Sequence, residues 1–369
     1  MTPRERLVAL TARADAVLFA GDGEPEPPEA LAARIARLAA AGAIEGDDYS
    51  VGGSVARLEE RWAALLGKEA AVWLPTGTLA NHLAVRRLLE ARPRAPRVLV
   101  PAESHLFQDE GDALQRLSGI AVVPLAPGRA CFTLEELQAA FDAAERGRVL
   151  NPVGAVVIES PVRRQAGAVV PFEELRALTD LCRSQGVGTH LDGARLFMMS
   201  AATGIPARDY AALFDTVYVS LWKYLPAPFG AILAGPAALL EGLYHDRRMF
   251  GGSLPSAALA AALALDGMDG LEERHVEVMR AGRALVAGLE SVAGLDVREF
   301  EHGSNIVRLR LETGVDGAAF CQRLFDLGVF VPDHNEAWDG TLLTFNPTLL
   351  RRSTGDLVGA LTSAVGASE

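Results

Sequence analysis
Between residues 70 and 236, short apolar runs alternate with stretches of helical period, and few folds accommodate that alternation. The runs are "AAVWLP", "RVLVP", "IAVVPL", "GAVVIESP", "VGTHLD", "DTVYVS" and "GAILAGP". Among the earlier runs lie "TLANHLAVRRLLEA", "TLEELQAAFDAAERG" and "PFEELRALTDLCRSQG", whose apolar residues recur at helical spacing. The second opens on a capping box, Thr133 to Glu136; the third begins at Pro171 and stops near Gly186. Apolar strands alternating with helices predict a mostly parallel, doubly wound α/β sheet. The last two runs follow each other closely, which predicts a short loop or hairpin after "DTVYVS".

Around this core the chain divides into an N-terminal segment (1–50), a large α/β domain (51–245) and a small α+β domain (246–369). The N-terminal segment carries an acidic, proline-rich loop, "GDGEPEPPEA", and a predicted helix over 29–41. The Gly-rich "EGDDYSVGGS" then leads into "VARLEERWAALLG", where Leu58, Trp62, Leu65 and Leu66 share one helix face. Beyond residue 246 come a long Ala-rich helical region (255–292), then "LDVREF", "NIVRLRL", a helix at 316–327, "VFVP", "TLLTFNP" and a final helix.

Hydrophobic residues make up 50% and charged residues 22%, the balance of a globular chain. The net charge of -12 has no basic stripe, which argues against a nucleic-acid or anionic-membrane partner. The most apolar stretch, "LPSAALAAALAL", is too short to span a bilayer. Cys131, Cys182 and Cys321 are widely spaced and lack metal-ligand spacing, as expected of reduced thiols in a cytoplasmic protein without a metal site.

Four polar features fall at predicted strand ends, where such sheets bind ligands. Lys223, in "SLWKYLPAPFG", is one of two lysines in a chain otherwise cationic through arginine. A buried lysine can lose its proton and attack a carbonyl, which arginine cannot do. Trp222, Tyr224 and the nearby prolines are expected to pack around it; the other lysine, Lys68, is expected to be exposed. Thr76-Gly77-Thr78 opens a helix and suits a phosphate. Asp192 ends "VGTHLD" and could serve a protonated ring nitrogen. His105, in "VPAESHLFQDEG", could stack on an aromatic ligand. Taken singly, each has an ordinary explanation: a snorkelling lysine, a turn, an N-cap, a structural imidazole. Together they are the parts needed to hold pyridoxal 5′-phosphate (PLP).

The sequence from about residue 45 to 310 resembles the threonine aldolases, within the β-eliminating lyase group of fold-type I PLP enzymes. "EGDDYSVGGSVARLEERWAALLGKEAAVWLPTGTLANHLAV", "AESHLFQDEG", "VVIESPVRRQAGAVVPFEEL", "THLDGARLF", "VSLWKYLPAPFGAILAG" and "RRMFGGSLPSAALAAA" carry the likeness in order. It implies a fold-type I large domain with an α+β C-terminal domain, PLP as cofactor, and a homodimer or homotetramer sharing its sites. By position, Lys223 would form the internal aldimine and Asp192 would pair with the pyridinium nitrogen. Thr76, Gly77 and Thr78 would hold the phosphate. His105 would stack on the ring and could move a proton at the β-hydroxyl. Arg195 would bind the carboxylate of an amino acid substrate. The implied reaction is cleavage of a β-hydroxy-α-amino acid to glycine and an aldehyde.

Three departures surround the substrate. "GGSLPSA" has Ser253, Leu254 and Pro255 where the family has a phosphate arginine, with Arg247 and Arg248 upstream as substitutes. "GTLLTFNP" offers Thr341, Thr344 and Asn346 where the family supplies a second carboxylate arginine. The loop after "VVIES" has Pro161, Arg163 and Arg164 in place of an Asn-Thr-His arrangement, so Arg163 or Arg164 could be recruited to the substrate. Elimination, racemisation or amino transfer on the same scaffold, or a non-catalytic PLP-fold protein, therefore stand as alternatives.

Overall fold
The computed structural model describes residues 2–146 and 148–366. Strands are labelled in chain order. β1 is Val17–Leu18; β2 to β8 are Ala70–Leu74, Arg97–Pro101, Ala121–Leu125, Val153–Glu159, Gly188–Asp192, Thr216–Ser220 and Ala231–Gly235. β9 to β12 are Leu295–Glu299, Ile306–Leu311, Val329–Phe330 and Thr341–Thr344.

All seven apolar runs become strands of one sheet, in the order β2-β8-β7-β6-β5-β3-β4. The sheet is parallel except for β8, which runs antiparallel to both neighbours. β5, β6, β7 and β8 are buried almost throughout, which is why they read as continuous apolar runs rather than alternating ones. The expected reversal after β7 is the ten-residue loop 221–230 that carries Lys223 into β8. Helices cover both faces. On one, Trp62, Trp73, Leu191, Val217 and Ile232 share a core; on the other, Leu74, Leu83, Tyr218 and Leu233 meet. Leu58, Trp62 and Leu66 are fully buried, as their helical spacing predicts.

The Ala-rich region is two helices, Ala257–Gly267 and Leu271–Leu289, where one long stretch was expected. Gly270, at φ +68°, makes the break in a backbone conformation glycine adopts without strain. The first helix packs Ala257, Ala260, Ala261 and Ala264 into the large core beside Val55 and Trp62. The second joins a separate core with Val307, Leu309, Leu343 and Phe345 beneath the antiparallel sheet β12-β10-β9. "VFVP" contributes β11, which pairs in parallel with β1 near the other chain end (Val17↔Val329, Leu18↔Phe330). Val17 and Phe19 thereby enter the C-terminal core. Among the described residues no helix is long and apolar enough to cross a membrane.

Candidate active site
The C-terminal ends of β2, β3, β5, β6 and β7 share one edge of the sheet and deliver the polar residues there. Asp192 closes β6, paired in register with Glu159 at the end of β5. Lys223 lies just past β7 and His105 just past β3. Lys223 is 8% exposed. Burial, reinforced by the Arg195 guanidinium, pulls its ammonium below the usual lysine pKa. Its neighbours Tyr224 and Leu225 are buried as expected, but Trp222 is half exposed, its ring 5.6 Å from Lys223 Nζ. Lys68 also departs from expectation. It is half-buried, and its Nζ donates to the carbonyl of Phe214.

Behind Asp192 runs a buried polar chain. Asn81 Nδ2 donates to Asp192 Oδ2 at 2.9 Å and to Glu110 Oε1 at 2.8 Å. Asn81 Oδ1 faces His190 Nε2 at 3.0 Å, and His190 Nδ1 faces Thr216 Oγ1 at 2.8 Å. Burial pushes the His190 pKa down to about 4, so its imidazole is neutral. Glu110 Oε1 also meets His105 Nδ1 at 3.1 Å, and this partner raises the His105 pKa. Glu159 is buried; its carboxylate accepts the backbone N–H of His105 (2.6 Å) and of Arg163 (3.0 Å). Burial, with the charge of Asp192, pushes the Glu159 carboxyl up to about 7.

Arg195 reaches the site but arrives paired. Its Nε and Nη2 donate to the two carboxylate oxygens of Asp22, each at 2.8 Å, in a bidentate fork. Asp22 comes from the acidic loop, whose path is fixed by Asn346. Asn346 Nδ2 donates to the carbonyls of Leu18, Ala20 and Gly21. Gly23 crosses the Lys223 loop so closely that a Cβ there would lie 3.0 Å from the Lys223 carbonyl oxygen. Asn346 therefore does a backbone task at the place where a second carboxylate arginine was sought.

On the phosphate side, Thr76 N-caps the helix Gly77–Glu90, its Oγ1 accepting the Leu79 N–H. A Cβ on Gly77 would fall 2.0 Å from Tyr218 Oη, so only glycine fits between the strand end and that phenol. Thr78 follows in the same first turn. Arg247 does not substitute for the missing arginine. It is buried, donating to the carbonyls of Trp73 and Ser50. Arg248 stacks on Tyr49, 4.5 Å from its ring centroid. Arg163 and Arg164 are exposed on the short 3-10 turn 163–165; Arg164 pairs with Asp109.

These residues fit PLP. The hydroxyls of Ser104 and Ser220 and Glu110 Oε2 are buried at this edge with no hydrogen-bond partner among the described residues. They stand beside a carboxylate for a ring nitrogen, an amine held below its normal pKa, and a glycine cradle at a helix N-terminus. Asp22, Asn81, Glu110, Glu159 and His190 were not singled out from the sequence. Asn81, Glu110, Glu159 and His190 all lie inside the segments that carry the family likeness, while Asp22 lies outside them in the acidic loop.

The fold and the site define a fold-type I PLP enzyme. The family model of the beta-eliminating lyases matches residues 30–312, and the chain belongs to that family. Relatives of the chain in that family include threonine aldolases. Aldolase vrtJ of Penicillium aethiopicum is 34% identical over 67% of this chain and 61% of its own. The low-specificity L-threonine aldolase of Candida albicans is 31% identical over 58% of this chain and 56% of its own. The match thus spans less than two thirds of either relative. A Listeria monocytogenes EGD-E structure, provisionally assigned as an L-allo-threonine aldolase, superposes with TM-score 0.80 at 25% identity, covering 99% of both chains.

Proposed function
We propose that the protein cleaves the Cα–Cβ bond of a β-hydroxy-α-amino acid, releasing glycine and an aldehyde. One observation carries the reading: at a single strand edge, Asp192 lies between the strands leading to Lys223 and to His105. Bound PLP would supply the electron sink for a bond breaking at Cα. Lys223 would hold the cofactor's carbonyl carbon, since it is the buried amine able to lose its proton. Asp192 would hold the ring nitrogen, and Thr76, Gly77 and Thr78 the phosphate. His105 would cover the ring and accept the β-hydroxyl proton through its accessible side. Arg195 retains Nη1 outside the Asp22 fork for the substrate carboxylate, with Arg163 and Arg164 at the rim.

Assembly as a homodimer or homotetramer belongs to the same proposal, as does a cytoplasmic location. Exposed Tyr49, Val51, Trp222 and Met249, large apolar side chains from segments around the site, support the assembly. Free Cys131, Cys182 and Cys321 support the location.

The test is a panel of β-hydroxy amino acids assayed for glycine and aldehyde, with borohydride reduction to map the modified lysine. Glycine with a stoichiometric aldehyde, and label on Lys223, is expected. Pyruvate with ammonia would replace this reading by elimination. Inversion at Cα or amino transfer would replace it by those reactions, and no turnover by a non-catalytic one. The loop carrying Pro161, Arg163 and Arg164 instead of an imidazole is what keeps elimination and racemisation in view.

A further inference from the structure
We propose that Glu110 is a positioning residue that fixes which nitrogen of His105 carries a proton, with Asn81 holding Glu110 and Asp192 in separate roles. The inference rests on His105 being the base at the β-hydroxyl. Its support is a hydrogen-bond chain in which each proton can be assigned. The Asn81 amide nitrogen donates to two carboxylates, so its Oδ1 must accept. His190 must then carry its proton on Nε2, which leaves Nδ1 to accept from the Thr216 hydroxyl. The chain ends on Asp192 Oδ2 and Glu110 Oε1, both committed as acceptors.

Glu110 Oε1 takes a second donor, His105 Nδ1. His105 therefore carries Nδ1–H when neutral and presents Nε2 as a bare lone pair. A free imidazole in water favours the opposite tautomer, so the carboxylate inverts the choice. The Glu110 side chain is 1% exposed while that of His105 is 30% exposed, so the pair has a dry anchor and an accessible working nitrogen. Three carboxyl groups face the ring: Glu110 from its own loop, Glu159 from β5 and Asp192 from β6. Glu159 engages the His105 backbone N–H, and Asp192 is held by Asn81 and the Ala194 N–H, so of these three Glu110 alone bonds the imidazole. An anionic partner on Nδ1 makes Nε2 a stronger base, as in other imidazoles oriented by a carboxylate.

The test is ¹⁵N NMR of histidine-labelled PLP-loaded enzyme, with His105 assigned through His105→Asn. Neutral His105 is expected as the Nδ1–H tautomer in wild type and as Nε2–H in Glu110→Ala. In Glu110→Gln its titration midpoint should fall, while Glu159→Gln should keep the Nδ1–H tautomer. Kinetically, Glu110→Gln should lower kcat about 10- to 100-fold with little change in KM. Its acid limb should move to lower pH, and bound PLP absorbance should be retained. Wild-type His105 found as Nε2–H, or a tautomer unmoved in Glu110→Ala, would overturn the proposal without needing any variant to turn over. Absence of aldol cleavage with the expected tautomers would sink the functional reading alone.

Discussion

Asp22 and Arg195, 173 residues apart, close a bidentate ion pair over the edge of the sheet, with both contacts at 2.8 Å. Their side chains are 14% and 8% exposed. Removing one partner leaves the other charge buried without compensation, a loss of about 3 kcal/mol or more. Asp22→Asn should therefore lower the melting temperature. It should also free the guanidinium for an exogenous carboxylate and lower KM for amino acids. A raised KM would show that Asp22 serves the substrate rather than competing with it.

Asn346 governs the same pair from a distance. Asn346→Ala strips the amide donor from three carbonyls of the segment leading to Asp22 and should cost about 1–3 kcal/mol. Hydrogen exchange should rise across residues 17–23. Protection in β6 and β7 should be unchanged.

Gly77→Ala places a methyl group 2.0 Å from Tyr218 Oη and 2.4 Å from its Cζ. The overpacking should cost about 1–3 kcal/mol. The shift of the helix start should weaken PLP binding, read by fluorescence titration of apoenzyme. Unchanged affinity would remove this turn from the phosphate site.

Glu159 predicts a pH signature. Its carboxyl stands at about 7 in the fold against 4.5 as the ordinary value, so the fold binds a proton more tightly than the unfolded chain. Its contribution to stability is full below about pH 4.5 and is lost as pH rises through about 7. Denaturation of Glu159→Gln should therefore show a flatter decline over that window than wild type. Parallel curves would mean that the carboxyl titrates normally.

The central sheet was legible because β5 to β8 are covered on both faces, and burial of that kind writes itself as unbroken apolar runs. The two-residue pairing of β1 with β11 left no such mark. Its partners are separated by most of the chain and are too short to show a period. The candidate site divides in the same way. Lys223, Asp192, His105 and Gly77 each stand at the end of a readable strand, and the family resemblance runs through them. Asn81, Glu110 and His190 are polar residues whose meaning comes from neighbours on other segments, so no local spacing announces them.

The sequence alone determined the layered α/β fold, the family and the strand edge where the candidate site gathers, because periodicity and strand-end position are local properties of a chain. Tertiary structure alone decided what the arginines do. Arg247 is spent on backbone carbonyls, Arg164 on Asp109, and two nitrogens of Arg195 on Asp22. A guanidinium can pair with any anion or carbonyl in reach, and which one reaches it is set by how distant segments pack.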